Sequence, residues 1–325
     1  MDLSTSNSFE RFSMSKTGSG PTLGTRGSAL ALWQANWTQS ELERRIPGLH
    51  VEILPIKTTG DRIQDVPLSK VGGKGLFTKE FDEALLDGRI DFAVHSLKDL
   101  PFALPEGTVL AAVPEREDPR DALVSRGMRL EDMPQGARLG TSSLRRQAQL
   151  RRRFPGLEIL PLRGNVNTRI GKLDSGEFEG IILAAAGLIR LGYQERITEY
   201  LERDVMMSAV GQGALALVCR SLDTAMQETL QVLDDPDTHD VIVAERALMA
   251  SLEGSCQVPI AGYAHIDGNE IVLEGLIASL DGAEVIADTV RGDRFDPSEI
   301  GEELGQRLRA SGAESVLEEI RRHGT

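Results

Sequence analysis

The sequence predicts an α/β protein of two lobes followed by a small C-terminal α+β domain with an antiparallel sheet. Three observations carry that expectation. Short apolar runs alternate with helical periods from Thr22 to about residue 232, the pattern of strands and helices laid down in turn. Within that stretch the pieces recur in the same order: "LGT" stands at 23–25 and at 139–141, and "PGLHVEILP" at 47–55 is echoed by "PGLEILP" at 155–161. Beyond residue 236 the pattern changes to a helix, strand-like runs divided by Asp-Gly steps, and a last helix.

Each element has its own signal. "PTLGT" is a short first strand, and the helix after it spaces Leu30, Ala31, Trp33, Gln34, Trp37, Leu42 and Ile46 before Pro47-Gly48 ends it. "LHVEILPI" is the next strand and "TTGD" its loop. Phe77, Phe81, Ala84 and Leu85 share one face of a helix over 75–87, Gly88 stops it, and "RIDFAV" is a strand. Strands joined through helices imply a parallel sheet. The second stretch repeats the order: "LGTSS" opens a helix through "LRRQAQLRRRF", "LEILPL" is a strand, "NVNTRIGKLDSG" a helix and "GIILAAA" a buried strand. In the third, a helix over 237–252 carries Val241, Ala244, Leu248 and Leu252 on one stripe. Asp267-Gly268 and Asp281-Gly282 signal hairpins, and one amphipathic helix spans roughly 298–321. The expected division is an extension over 1–20, a first lobe of 21–115 with 212–232, a second of 116–211, and a third domain of 233–325.

Composition narrows the function. A chain of 325 residues exceeds one typical core, and no apolar run approaches the ~20 residues that span a bilayer. A net charge of −14 argues against general nucleic-acid binding. Two cysteines are too few for a disulfide framework and fit a reducing compartment, so a cytoplasmic location is expected. Residues 1–20 are rich in Ser, Thr and Gly without the apolar segment of a secretory signal. They read as a disordered extension, although Arg11 and Lys16 among serines also fit organellar import.

Ligands of open α/β sheets bind outside the carboxyl ends of the strands. In "DFAVHSLKDLP" (91–101), His95, Ser96, Lys98 and Asp99 arrive where a buried strand stops. "LGTR" at 23–26 and "LGTSSLRR" at 139–146 do the same, each leading into a helix whose first N–H groups can bind an anion. The competing reading of 95–99 is a solvated loop with a local salt bridge. Charge favours a cleft: nine basic residues and the single acid Glu158 lie between Arg138 and Lys172, +8 inside a chain that is −22 elsewhere. Arg145, Arg146 and Arg163 read as bidentate partners for carboxylates or phosphates, whereas Arg151, Arg152 and Arg153 read as a solvated helix end favoured by the dipole.

"VGGKGLF" at 71–77 lacks the Walker spacing and reads as a mobile loop placing Lys70 and Lys74 beside the cleft. No G-x-S-x-G, H-E-x-x-H or C-x-x-C occurs, so serine-hydrolase, zincin and thioredoxin chemistry find no support and no metal is expected. Cys219, at the end of "ALALVC", reads as a core thiol. Cys256, in the loop "EGSCQVP", is open to packing, to nucleophilic chemistry or to covalent attachment.

Ten strings in order resemble the porphobilinogen deaminase (hydroxymethylbilane synthase) family: "GTRGSALALWQ", "TTGD", "LSKVGGKGLFTKE", "VHSLKDLP", "EREDPRDA", "GTSSLRRQAQL", "RGNVNTR", "AAAGLIRLG", "AVGQGAL" and "LEGSCQVPI". The resemblance runs from Leu23 to about Ala264, with one departure: Gly254-Ser255 precedes Cys256 where the family usually has Gly-Gly. It implies two periplasmic-binding-protein-like lobes plus the small third domain. It also implies the joining of four porphobilinogen molecules head to tail, with loss of ammonia, into hydroxymethylbilane for tetrapyrrole synthesis. The chain grows on a dipyrromethane cofactor held by a thioether, here at Cys256. Asp99 resembles the family's catalytic carboxylate, placed to assist departure of the amine, stabilise the azafulvenium cation and take the proton lost from the attacking pyrrole. Arg26, Ser28, Lys98, Thr141, Ser143, Arg145, Arg146, Arg163 and Arg169 would surround the cofactor and growing chain, with Arg190 and Gln212 as further transfers. His95 and Ser96 would support the turn or the cofactor. A monomer that hands its product to the next pathway enzyme is the family expectation, with the crossings near 114–120 and 205–211 as a hinge. The rival from another class is a two-lobed anion-binding protein without chemistry. It accounts for lobes and arginines but leaves Asp99 and Cys256 unused.

Overall fold

The computed structural model describes residues 20–62, 78–252 and 258–323. The expected extension up to residue 19, the loop bearing Lys70 and Lys74, the start of the 75–87 helix and the Cys256 loop lie outside the described residues.

The first lobe holds β1 (Thr22–Thr25), β2 (Glu52–Pro55), β3 (Phe92–Ser96) and β4 (Thr108–Ala112), with α1 (Ala29–Arg45), α2 (Thr59–Arg62) and α3 (Lys79–Leu86). The second holds β5 (Asp121–Ser125), β6 (Arg138–Gly140), β7 (Glu158–Leu160), β8 (Gly180–Ala184) and β9 (Glu199–Leu201), with α4 (Leu144–Arg153), α5 (Val166–Asp174) and α6 (Ala185–Arg190). The chain then returns to the first lobe as β10 (Leu215–Arg220) and α7 (Thr224–Gln231). Strand order is β2-β1-β3-β10-β4 in one sheet and β7-β6-β8-β5-β9 in the other, the same topology twice.

Neither sheet is wholly parallel, contrary to expectation. β10 runs antiparallel to β3 and β4, and β5 antiparallel to β8 and β9. The cause is the crossing between lobes, over 113–120 and again over 202–214. A chain arriving from the other lobe enters at the carboxyl edge of the parallel strands and has to run back. The register shows it: Leu215 pairs with Ser96 at the end of β3, and Asp121 with Ala184 at the end of β8. Both return strands therefore begin at the cleft. "GIILAAA" is shorter as a strand than predicted, since Ala185 and Ala186 already belong to α6.

The third domain packs β11 (Ile260–Asp267), β12 (Glu270–Ala278) and β13 (Val285–Asp293) as an antiparallel sheet against α8 (Pro236–Ser251) and α9 (Pro297–Leu308). Asp267 pairs with Glu270 across a two-residue turn in which Gly268 takes φ 65°, the conformation that tight hairpins require. Val241, Ala244, Leu248 and Leu252 are buried as their stripe predicts. The single last helix is instead two. Gly312, at φ 109°, interrupts it, and α10 (Glu314–His323) follows. Cys219 is a core thiol with no exposed surface, and burial pushes it up to about 11.

Glu245 of α8 joins the domains. It has no exposed surface and accepts from Arg116 Nη1 at 2.6 Å, Gly211 N at 2.7 Å and Ala264 N at 2.9 Å, so one carboxylate grips both crossings and the third sheet. Arg151 also departs from its expected role. Rather than ending in solvent, it donates to the Leu280 carbonyl of the third domain; Arg152, though exposed, also reaches that domain at the Ala283 carbonyl, 3.4 Å away, and Arg153 stays exposed.

Candidate active site

Two strand-to-helix turns of the same build face the cleft. Gly24 and Gly140 lie in β1 and β6 where a Cβ would come within 2.5 Å of Ile90 and 3.0 Å of Phe178, so glycine allows each strand to pack closely. Ser28 then caps α1, its hydroxyl accepting from Ala31 N at 3.3 Å, and Ser143 caps α4, accepting from Arg146 N at 3.5 Å. Thr141 is buried, with its hydroxyl oxygen 3.3 Å from the Ser143 N–H. The predicted binding residues Ser28 and Ser143 thus form the helix starts themselves.

The third strand end supplies the titratable groups. β3 finishes at Ser96, and a single 3₁₀ turn over Leu97–Asp99 follows. Leu97 is buried, which fixes the turn and leaves Asp99 exposed. Arg26, Ser28, Gln34, Thr78, His95, Ser96 and Asp99 line one cavity at this point. Gln34 donates to the Ser96 hydroxyl at 2.8 Å. His95 sits edge-on to Phe81 at 4.9 Å, and burial, with repulsion from Arg26, lowers its pKa to about 4. The imidazole is therefore neutral at ordinary pH.

The opposite wall carries the arginines. Arg145 and Arg146 are buried and share the carboxylate of Asp121. Burial alone would raise the Asp121 carboxyl, but the two guanidiniums outweigh it and hold the group below the usual carboxylate range. Ser142 accepts from Leu162 N at 3.0 Å and donates to Leu162 O at 2.9 Å, clasping the segment that presents Arg163. Arg169 donates to the Gly164 carbonyl at 2.7 Å. Desolvation, then the neighbouring Arg146 and Arg163, pushes it down to about 10, with Asp99 opposing.

Lys98 lies between the walls. Loss of solvent, then Arg146, lowers it to about 8, while Asp99 and Asp121 pull the other way. Gln212, fully buried, accepts from Lys98 Nζ at 3.2 Å and donates to Asp121 Oδ1 at 2.9 Å. Arg190 is placed at the contact between lobes, donating to the Gly213 carbonyl at 2.7 Å with its guanidinium 5.7 Å from the Trp33 ring centre. Sequence reasoning overlooked Asp121 and Gln34 as site residues. Both stand inside strings that matched the family, and Asp121 opens the apolar run "DALV", where a carboxylate needs a partner to be buried.

A family model described as "Porphobilinogen deaminase, dipyromethane cofactor binding domain" matches residues 22–228, and that of the "Porphobilinogen deaminase, C-terminal domain" matches 240–310. The chain belongs to the porphobilinogen deaminase family. It is 52% identical over 298 residues to the porphobilinogen deaminase of Geobacter sulfurreducens, covering 92% of this chain and 94% of the relative. To that of Pelobacter propionicus it is 53% identical, covering 92% and 96%. Among solved structures, the probable amino-acid ABC transporter extracellular-binding protein of Bacillus subtilis aligns at 12% identity and TM-score 0.39 over 65% of this chain and 88% of its own.

The enzymes of this family are transferases that act on porphobilinogen, and the domain model places dipyrromethane binding in the two lobes. The donor set fits that cofactor. Arg26, Lys98, Arg163 and Arg169 approach the cleft from both lobes, and pyrroles bearing acetate and propionate are anionic. Among the described residues, no helix is long and apolar enough to cross a membrane.

Proposed function

We propose that this cleft carries out the family's condensation of porphobilinogen into hydroxymethylbilane with Asp99 as the catalytic carboxylate and Cys256 as the covalent anchor. The observation that carries this reading is an exposed Asp99 lining the cavity with Arg26 and His95 between two cationic walls. When bound, dipyrromethane supplies the pyrrole primer on which the chain is extended. Asp99 draws the aminomethyl ammonium of the incoming substrate, steadies the positive charge left as ammonia departs, and accepts the proton displaced from the attacking pyrrole carbon. Arg26, Lys98, Arg145, Arg146, Arg163 and Arg169 hold carboxylates, while Ser28, Thr141 and Ser143 shape the helix starts beside them. Arg190 acts from the end of α6 against the second crossing, Gln212 from within that crossing, and Lys70 and Lys74 add further positive charge for the carboxylates.

The three sheets support a division at 21–115 with 212–232, 116–211 and 233–325. The enzyme works as a cytoplasmic monomer that passes its linear product to the next enzyme of tetrapyrrole synthesis. The test is the intact mass of the purified full chain beside a Cys256→Ser variant. A surplus equal to two linked pyrroles in the wild type alone, restored by porphobilinogen where it is missing, supports the reading. A wild-type chain that lacks the surplus and does not acquire it with porphobilinogen overturns it.

A further inference from the structure

Asp121 has no exposed surface, and both of its oxygens are engaged. Oδ2 accepts from Arg145 Nη1 at 2.7 Å; Oδ1 accepts from Arg146 Nε at 3.0 Å, Arg146 Nη2 at 2.7 Å and Gln212 Nε2 at 2.9 Å. Consecutive residues of a helix diverge by about 100° and do not face each other. Arg145 and Arg146 nevertheless converge on one carboxylate, at the helix end where like charge is least welcome. A shared anion is what brings two repelling guanidiniums to the same side.

The carboxylate also reaches the other lobe. Gln212 bonds Asp121 through its amide nitrogen and Lys98 through its amide oxygen, so an acid of the second lobe fixes an ammonium of the first. Asp121 can do this because it is the first residue of a return strand, which topology starts at the cleft. Being wholly buried, it touches no substrate.

We infer that Asp121 is a positioning residue: it holds Arg145 and Arg146 on one wall and, through Gln212, Lys98 on the other in the register that receives the carboxylates of the pyrrole chain. This rests on the proposed role of the cleft. The test uses full-length Asp121→Asn and Asp121→Glu beside wild type, reading primer loading by intact mass, KM and kcat separately, and fold by circular dichroism. Asp121→Asn lowers loading and raises KM by about tenfold or more, with kcat of the loaded fraction within about threefold. Asp121→Glu restores the melting temperature but not KM, since it returns the charge without the register. If Asp121→Glu restores both, or Asp121→Asn folds with wild-type loading and KM, the inference fails. Should neither variant fold, Gln212→Met decides, because it leaves the arginine pair intact; a wild-type KM there overturns the bridge to Lys98. Wild-type protein that does not load defeats the cleft's proposed chemistry instead, whatever the variants do.

Discussion

The Lys98 ammonium donates to the Gln212 side-chain oxygen at 3.2 Å, tying the turn that bears Asp99 to the second crossing between the lobes. That ammonium loses its charge as pH rises through about 8, well before an ordinary lysine would. The profile of kcat/KM, which reports the free enzyme, should therefore fall above about pH 8. Lys98→Arg stays charged and should carry the falling limb to higher pH. A wild-type profile flat to about pH 10 would remove Lys98 from carboxylate binding.

Asp99 is exposed at the end of a turn pinned by buried Leu97, so its side chain can change without disturbing the core. Asp99→Asn should fold and carry the primer at wild-type level while kcat drops by about 10²-fold or more. Intact mass and single-turnover assays separate the two effects. Normal turnover by a loaded Asn variant would end the catalytic assignment.

The strand-helix alternation, the third-domain hairpins and the polar strand ends were legible because each rests on local periodicity or turn chemistry. The antiparallel strands were not. Nothing in "DALVS" or "LALVCR" says that the chain has just crossed from another lobe, and direction within a sheet is a property of that path. For the same reason Asp121 was missed while its partners were found. Two arginines announce an anion site in sequence, but the acid they share lies 24 and 25 residues away and meets them through the return strand. Arg190 shows the converse, a charged residue legible from its motif whose place against Trp33 depends on how the lobes meet.

His95 should give the enzyme a soft acid side. Folded, its imidazole binds a proton only near pH 4, because it is buried; unfolded, it binds one from about 6.5. Between those values the unfolded chain holds more protons, so stability rises with pH across the window and is lost as pH falls. The full effect of such a shift is ~3 kcal/mol. His95→Asn should flatten that part of the stability–pH curve, measured by urea unfolding at a series of pH values. A slope unchanged from wild type would assign the acid sensitivity elsewhere.

Glu245 tests whether the domains act as one unit. Its carboxylate takes Arg116 at 2.6 Å and two backbone N–H groups, Gly211 in the second crossing and Ala264 in β11. Glu245→Leu leaves the largely buried Arg116 guanidinium with the Gln212 carbonyl but without its anion, and removing one partner of such a pair costs up to ~3 kcal/mol. Arg116→Met should cost a comparable amount, and the double variant less than their sum, because the orphaned charge is removed together with its partner. Urea unfolding of the four proteins gives the coupling energy directly. A value near zero would mean that packing of α8 against β11 alone holds the crossings, and that the ion pair adds nothing to the hinge.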